Sequence, residues 1–256
     1  MKKRNIIIHC IVLFMIATFA ACASTPTRER ASSMDDRIES SAKKSYVFMI
    51  YLKNDDIKVQ SRDGAVILAG TVSEDSHKSL ARDTVADLPG VKSVDNRLEV
   101  KGERPAENSD AWLTTKVKTM LLFHRNVSAM TEVSARDGIV TLRGKATSQA
   151  QKDLTTEYVK DVEGVKDIKN EMMVSEPSKK TQTVGDEIDD ASITAQVKMT
   201  LLLNRSTSTL NTSVTTKEGV VTLGGKARNA AEKDLATKLA SDVNGVKDVK
   251  NRMTIE

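Results

Sequence analysis

The sequence predicts an α+β chain of three tandem modules. Each is ordered α-β-β-α-β and folds as a three-stranded mixed sheet with two helices on one face. Two observations predict this. The stretch 140–174 occurs three times, with an earlier copy at 66–100 and a later one at 221–255. Its markers Gly64, Gly70, Gly90 and Asn96 return as Gly138, Gly144, Gly164 and Asn170, then as Gly219, Gly225, Gly245 and Asn251, always at intervals of 6, 20 and 6 residues. A fixed repeat of this kind governs the fold before any local propensity does. In every copy, moreover, the apolar period changes from helical to alternating, back to helical, and again to alternating.

Each copy opens with an amphipathic helix. Its apolar stripe is Ile38, Ala42, Tyr46 and Met49 in the first copy, Leu113, Val117, Met120 and Leu121 in the second, and Ile193, Val197 and Leu201 in the third. Those spacings lie on one helical face. Asp35, Asp110 and Asp190 stand three residues earlier, where an N-cap or first-turn acid is favourable. A short strand follows, carrying Ile57 and Val59, Thr131 and Val133, or Thr212 and Val214. Arg62-Asp63-Gly64, Arg136-Asp137-Gly138 and Lys217-Glu218-Gly219 then read as hairpin turns, because Gly tolerates positive φ. The second strand is expected to end at Gly70, Gly144 or Gly225. The second helix ends at a left-handed cap supplied by Gly90, Gly164 or Gly245. In the last strand Asn96, Asn170 and Asn251 share phase with apolar neighbours. A buried amide must be hydrogen-bonded, so these residues are expected to satisfy backbone groups rather than to form a site.

The modules are expected at 35–100, 110–174 and 190–256, joined by polar, flexible linkers at 101–109 and 175–189. Ahead of them, Lys2, Lys3 and Arg4 precede an apolar run that ends in small residues, the pattern of a signal peptide over 1–21. Phe19-Ala20-Ala21-Cys22 is similar to a bacterial lipobox, with Phe19 in place of the usual Leu. It makes Cys22 a candidate lipid anchor, whereas ordinary cleavage would fall after Ala23. By resemblance to other lipoproteins, Ala23 after the cysteine directs the protein to the outer membrane. Residues 22–34 are small and polar and are expected to be a flexible tether. Cys10 is lost with the leader, so the mature chain can form no internal disulfide although it is exported.

The formal net charge is +4, but three basic residues belong to the leader. The remainder is close to neutral and drifts from acidic in the first copy to basic in the third. This is not the concentrated basic footprint of a nucleic-acid binder.

The order D-G-x-V-x-L-x-G followed by V-x-G-V-x-x-V-x-N-x-L resembles the BON domain (bacterial osmotically inducible protein Y and nodulation) in all three copies. The resemblance implies a non-enzymatic module of the cell envelope that binds anionic phospholipid or the inner envelope surface and supports membrane integrity under osmotic stress. The alternative is a periplasmic protein-interaction or chaperone-like adaptor, with other envelope proteins as partners.

No catalytic motif occurs, and no catalytic residue, cofactor or metal is expected. His77 and His124 read as surface histidines. Trp112 is the only tryptophan; Arg37 and Ser192 stand at its equivalents, so the fold does not require it. An indole beside lysine suits a membrane interface. The resemblance extends this, because in a similar lipid-anchored family member the first helix of the second domain contacts anionic phospholipid. Trp112, Lys116 and Lys118 are therefore the candidate phospholipid contacts, against the alternative of a partly buried tryptophan at the core's edge.

Overall fold

The computed structural model describes residues 26–102, 106–107, 109–125, 127, 131–175, 188–207 and 211–256, without the side chains of 26–32. The predicted leader, Cys22 and much of both linkers lie outside the described residues.

The first module comprises α1 (Pro26–Lys44), a π-helical turn (Val47–Tyr51), β1 (Asp56–Arg62), β2 (Ala65–Val72), α2 (Asp75–Ala86) and β3 (Ser93–Val100). The second has α3 (Asp110–Phe123), β4 (Glu132–Arg136), β5 (Ile139–Arg143), β6 (Lys145–Ala146), α4 (Gln149–Lys160), β7 (Asp167–Asn170) and β8 (Met173–Val174). The third has α5 (Asp190–Leu203), β9 (Asn211–Lys217), β10 (Val220–Ala227), α6 (Ala230–Ser241), β11 (Asp248–Asn251) and β12 (Thr254–Ile255). In each, the second strand is central, antiparallel to the first and parallel to the third. Alternate residues such as Val59, Val66, Leu68 and Leu98 are buried, because side chains of period two put one strand face on the core.

Two expectations for the first helix change. It begins at Pro26, so most of the expected tether is helical. Proline is tolerated as the first helical residue, where its missing N–H has no intrahelical role. The apolar stripe keeps Ile38 and Ala42 buried but leaves Met49 49% exposed. Ser45 Oγ bonds the Ala42 carbonyl at 2.8 Å, and the chain passes into the π-helical turn, which moves the later positions out of phase.

The hairpin turns have positive φ at both central residues, 54° and 82° at Asp63 and Gly64, and nearly the same in the other copies. The recurring acid at the head of each module holds this turn across space. Asp110 accepts from the N–H groups of Asp137 at 2.8 Å and Gly138 at 3.0 Å, and Asp190 does the same for Glu218 and Gly219. Asp35 accepts from Ser61 Oγ as well as from Asp63 and Gly64. The Ser61 hydroxyl and the turn amides hold the Asp35 carboxyl below its usual range, and the Gly138 and Asp137 amides do so for Asp110. The N-caps themselves are Ser109 and Asp189.

Each asparagine fastens the third strand to the second helix. Asn170 Nδ2 donates to the Lys152 carbonyl at 2.9 Å and to Thr156 Oγ1 at 2.8 Å, while its Oδ1 accepts from Met172 N at 3.0 Å. Asn251 repeats all three bonds. Asn96 keeps the bonds to Lys78 and Leu98.

Gly70 and Gly225 lie inside their strands rather than at the ends, since β2 and β10 run on to Val72 and Ala227. Gly225 has φ 107°, and a Cβ there would collide with the Asn211 carbonyl oxygen of the paired strand. Gly225→Ala is therefore expected to destabilise the third module by about 2 kcal/mol. A thermal melt should show the loss, and an unchanged midpoint would contradict it.

The modules pack against one another. α5 is buried on nearly every side, including Ser192, Thr194, Gln196 and Thr200. α2 and α3 both contact it. The second and third modules meet about a local two-fold relation. Arg125 N donates to the Asp242 carbonyl at 3.2 Å, and Arg205 N to the Asp161 carbonyl at 2.7 Å. The Arg125 guanidinium reaches the carbonyls of Val243 and Val246, and that of Arg205 reaches those of Val162 and Val165. The turn of the first module docks on the same pair. Tyr46 N donates to Asp189 Oδ2 at 2.7 Å and Val47 N to Ser192 Oγ at 3.1 Å, while Tyr51 OH lies 3.5 Å from Gln196 Oε1.

Candidate functional site

Ser109 Oγ accepts from Trp112 N at 3.2 Å, which places the indole in the first turn of α3. One turn on, Lys116 Nζ lies 3.9 Å from the indole centroid. The same ammonium is 3.0 Å from Glu163 Oε2, and the Lys116 side chain is only 14% exposed. Trp112 is half-buried and packs beside Gly164. The expected glycine caps are displaced: the second helices are capped by Asp87, Asp161 and Asp242, and Gly90, Gly164 and Gly245 supply positive φ in the turn that follows. The structure thus brings Trp112 and Lys116 together as a cation–π pair. It does not bring Lys118 to them. Two residues beyond Lys116, Lys118 is turned about 200° around the helix and is exposed.

The pair borders a solvent-open cavity of about 420 Å³ where all three modules meet. Its lining includes the apolar Val100, Trp112, Met199, Leu202 and Leu203, together with Ser73, Glu74, Asp75, Ser76 and Ser79 around the start of α2. Thr119 Oγ1 lies 3.4 Å from Ser76 Oγ and links α3 to α2 there. The cavity carries acids Glu74, Asp75 and Glu107 together with Lys101 and Lys116.

Sequence reasoning missed the contributions of α2 and α5, because contacts between modules leave no local period. One signal was present: beyond Asp190 in its first turn, α5 has a single charged side chain, Lys198, and a helix without a charged face belongs inside a larger core. Leu202, 55% exposed, is the part of it left open towards the cavity.

The two histidines differ from the surface reading. His77 Nδ1 lies 2.6 Å from Asp55 Oδ2. His124 is 2% exposed, stacked on Tyr158 with ring centroids 3.9 Å apart. The third module covers it, through the bridge between His124 and Val243. Burial pushes its pKa down to about 4, with Asp242 offsetting only part of the shift. Tyr158 OH is bonded to Asp242 Oδ2. Among the described residues no cluster of three or more metal-ligating side chains occurs, and no helix is long and apolar enough to cross a membrane.

Residues 34–102, 109–176 and 189–256 each match the profile of the BON domain. The chain is similar to Osmotically-inducible protein Y of Escherichia coli, 34% identical over 144 residues that cover 56% of this chain and 70% of that one. It is 33% identical over 113 residues to the 21 kDa hemolysin of Actinobacillus pleuropneumoniae, covering 43% of this chain and 57% of that one. It is 30% identical over 115 residues to the outer membrane lipoprotein DolP of Haemophilus influenzae, covering 44% and 59%. The chain thus spans less than two thirds of the latter two relatives. Among solved structures, CdsD, a structural protein of the Type III secretion system of Chlamydia trachomatis, aligns over 88% of this chain and 92% of that one, at 16% identity and a TM-score of 0.23. A likeness at that score carries no argument.

Proposed function

The chain belongs to the BON-domain family in three copies, and from that premise we propose that it is a non-enzymatic, exported envelope protein that binds anionic phospholipid surfaces. Cys22 is its lipid anchor to the outer membrane, and the BON modules support envelope integrity under osmotic stress. The similarity to an osmotically inducible protein and to an outer membrane lipoprotein supports this setting. The observation that carries the lipid contact is the Trp112–Lys116 pair, an indole that the repeat does not require, held beside an ammonium at the mouth of an open cavity. Such a pair suits the boundary between headgroup and acyl chain. A single lipid chain anchors only reversibly, so a second contact of this kind would hold the protein to the membrane.

The mature protein is expected to co-sediment with phosphatidylglycerol-rich vesicles at low salt and to release as salt screens the attraction. Losing the indole should weaken binding about tenfold in Trp112→Ala, as the burial of one large apolar side chain implies. Absence of binding to these vesicles at low salt would sink the reading. Capture of envelope proteins that is indifferent to lipid would favour the adaptor instead. Mass spectrometry of the mature N-terminus decides whether Cys22 is lipidated.

A further inference from the structure

Each sheet packs its helices on one side and turns the other side to solvent. The strand registers put matching residues in matching rows of these open faces, so the modules can be compared place by place. One such row is Lys58, Ala69 and Arg97 in the first module, and Glu132, Arg143 and Glu171 in the second. Cations on these two faces have carboxylate partners: Arg97 meets Asp95 at 2.7 Å, and Arg143 meets Glu171 at 2.8 Å. In the third module the row is Ser213, Gly224 and Arg252. Both carboxylates of the second module's row are gone, and a guanidinium stands in place of Glu171. Arg252, Lys217 and Lys250 are exposed on this face and form no ion pair among the described residues.

Gly224 is a second departure. Its φ is not positive, so the backbone does not demand glycine there. The pairing of β9 with β10 runs unbroken through it, which excludes a bulge. A Cβ at this place would stand 2.6 Å from Ser213 Oγ, so the row presents a hydroxyl where the second module presents an arginine. Glycine inside a regular strand marks a place where a ligand or another chain comes close. The adjacent row continues the hydroxyls with Thr215 and Thr222, beside Lys250.

The chemistry of the face selects its partner. Half-buried Val220 is the one large apolar side chain in these rows, too little to enter an acyl layer. The rows hold no aromatic ring on which a nucleobase could stack. A sugar polymer with acidic groups meets hydroxyls with hydroxyls and the unpaired cations with its anions. We propose that the open sheet face of the third module docks an anionic polysaccharide, which crosses Gly224 with its acidic groups at Lys217, Lys250 and Arg252. The face lies on the side of the sheet away from α5 and α6, so it is a surface that the lipid contact at Trp112 does not use.

Labelled polygalacturonate, a carboxylated glycan, is expected to bind the mature protein saturably at low salt, and uncharged dextran is not. Lys250→Glu with Arg252→Glu should weaken binding about tenfold. Lys169→Glu with Arg143→Glu makes the same charge change on the matching rows of the second module and should alter binding less than about twofold. Gly224→Arg, which installs the second module's residue, adds a cation and yet should weaken binding, because its side chain covers the row. All variants should keep the wild-type circular dichroism. Absence of saturable binding overturns the proposal, as does equal binding of dextran or tighter binding of single-stranded DNA. Equal loss in the two charge-matched variants, or tighter binding by Gly224→Arg, also overturns it by reducing the effect to net charge. Phosphatidylglycerol vesicles in parallel keep the two readings apart. Trp112→Ala should bind polygalacturonate as the wild type does, and loss of both ligands in that variant overturns a separate site. Vesicle binding without polygalacturonate binding leaves only the lipid reading standing, and the converse leaves only the sheet face.

Discussion

Replacing Arg125 and Arg205 together by alanine is expected to cost about 4 kcal/mol and to uncouple the second and third modules. Each guanidinium donates to two carbonyls just beyond a second helix of the opposite module, Val243 and Val246 for Arg125, Val162 and Val165 for Arg205. These carbonyls belong to the turn that follows each helix, where Val162 and Val243 also accept from Val165 N and Val246 N, and a cation there is favoured by the helix dipole. A charged hydrogen bond contributes about 1.5–3 kcal/mol net. Both residues are largely solvent-exposed, so about 2 kcal/mol per arginine is the appropriate figure for the pair of bonds. Calorimetry should show the joint transition of the two modules move down or divide. Arg→Lys at both sites should recover only part of the loss, since an ammonium cannot span two carbonyls as a planar fork does. An unshifted transition in the alanine double variant would mean that packing alone holds the seam.

Acid is expected to act on the same seam through His124. The ring titrates near pH 6.5 when exposed and near 4 when folded, so the unfolded chain binds the proton more readily. Stability is then complete above the unfolded pKa and falls as the pH drops towards 4, by about 3 kcal/mol over the whole window. The groups facing the ring are Tyr158 from α4, Asp242 at the end of α6 and the neighbouring Arg125. Asp35 and Asp110 are depressed below 3.8, so their contribution is lost only at lower pH and does not blur the effect. Urea midpoints measured from about pH 7 to about pH 4.5 should fall in the wild type. His124→Asn, which installs the residue found at the equivalent Asn204, should flatten that slope. A slope that survives in the variant would assign the titration elsewhere.

Much of each module was legible in the residues. The glycine intervals placed the turns, and the alternation of Val66 and Leu68 placed a buried strand face. The shared phase of Asn170 with its apolar neighbours called for a hydrogen-bonded amide, and such an amide is found. The carboxylate grip of Asp110 on the hairpin was less visible. Its only trace is an acid lying 28 or 29 residues before the turn glycine in every copy, a distance no local rule connects. At the candidate site, the adjacency of Trp112 and Lys116 followed from helical spacing, whereas Lys118, two residues on, lies on another face of α3 and is exposed.

By itself, then, the sequence determined the unit: the order of its helices, strands and turns, and that one fold is used three times. It could do so because those features depend on periodicity and on backbone conformations within a few residues. Only the tertiary structure decided how the three units meet. That buried His124, turned α5 into a common core, seated one turn of the first module against Ser192, and left the matching face at Trp112 open. These outcomes rest on contacts between residues from about 40 to more than 140 positions apart, where neither spacing nor propensity carries information.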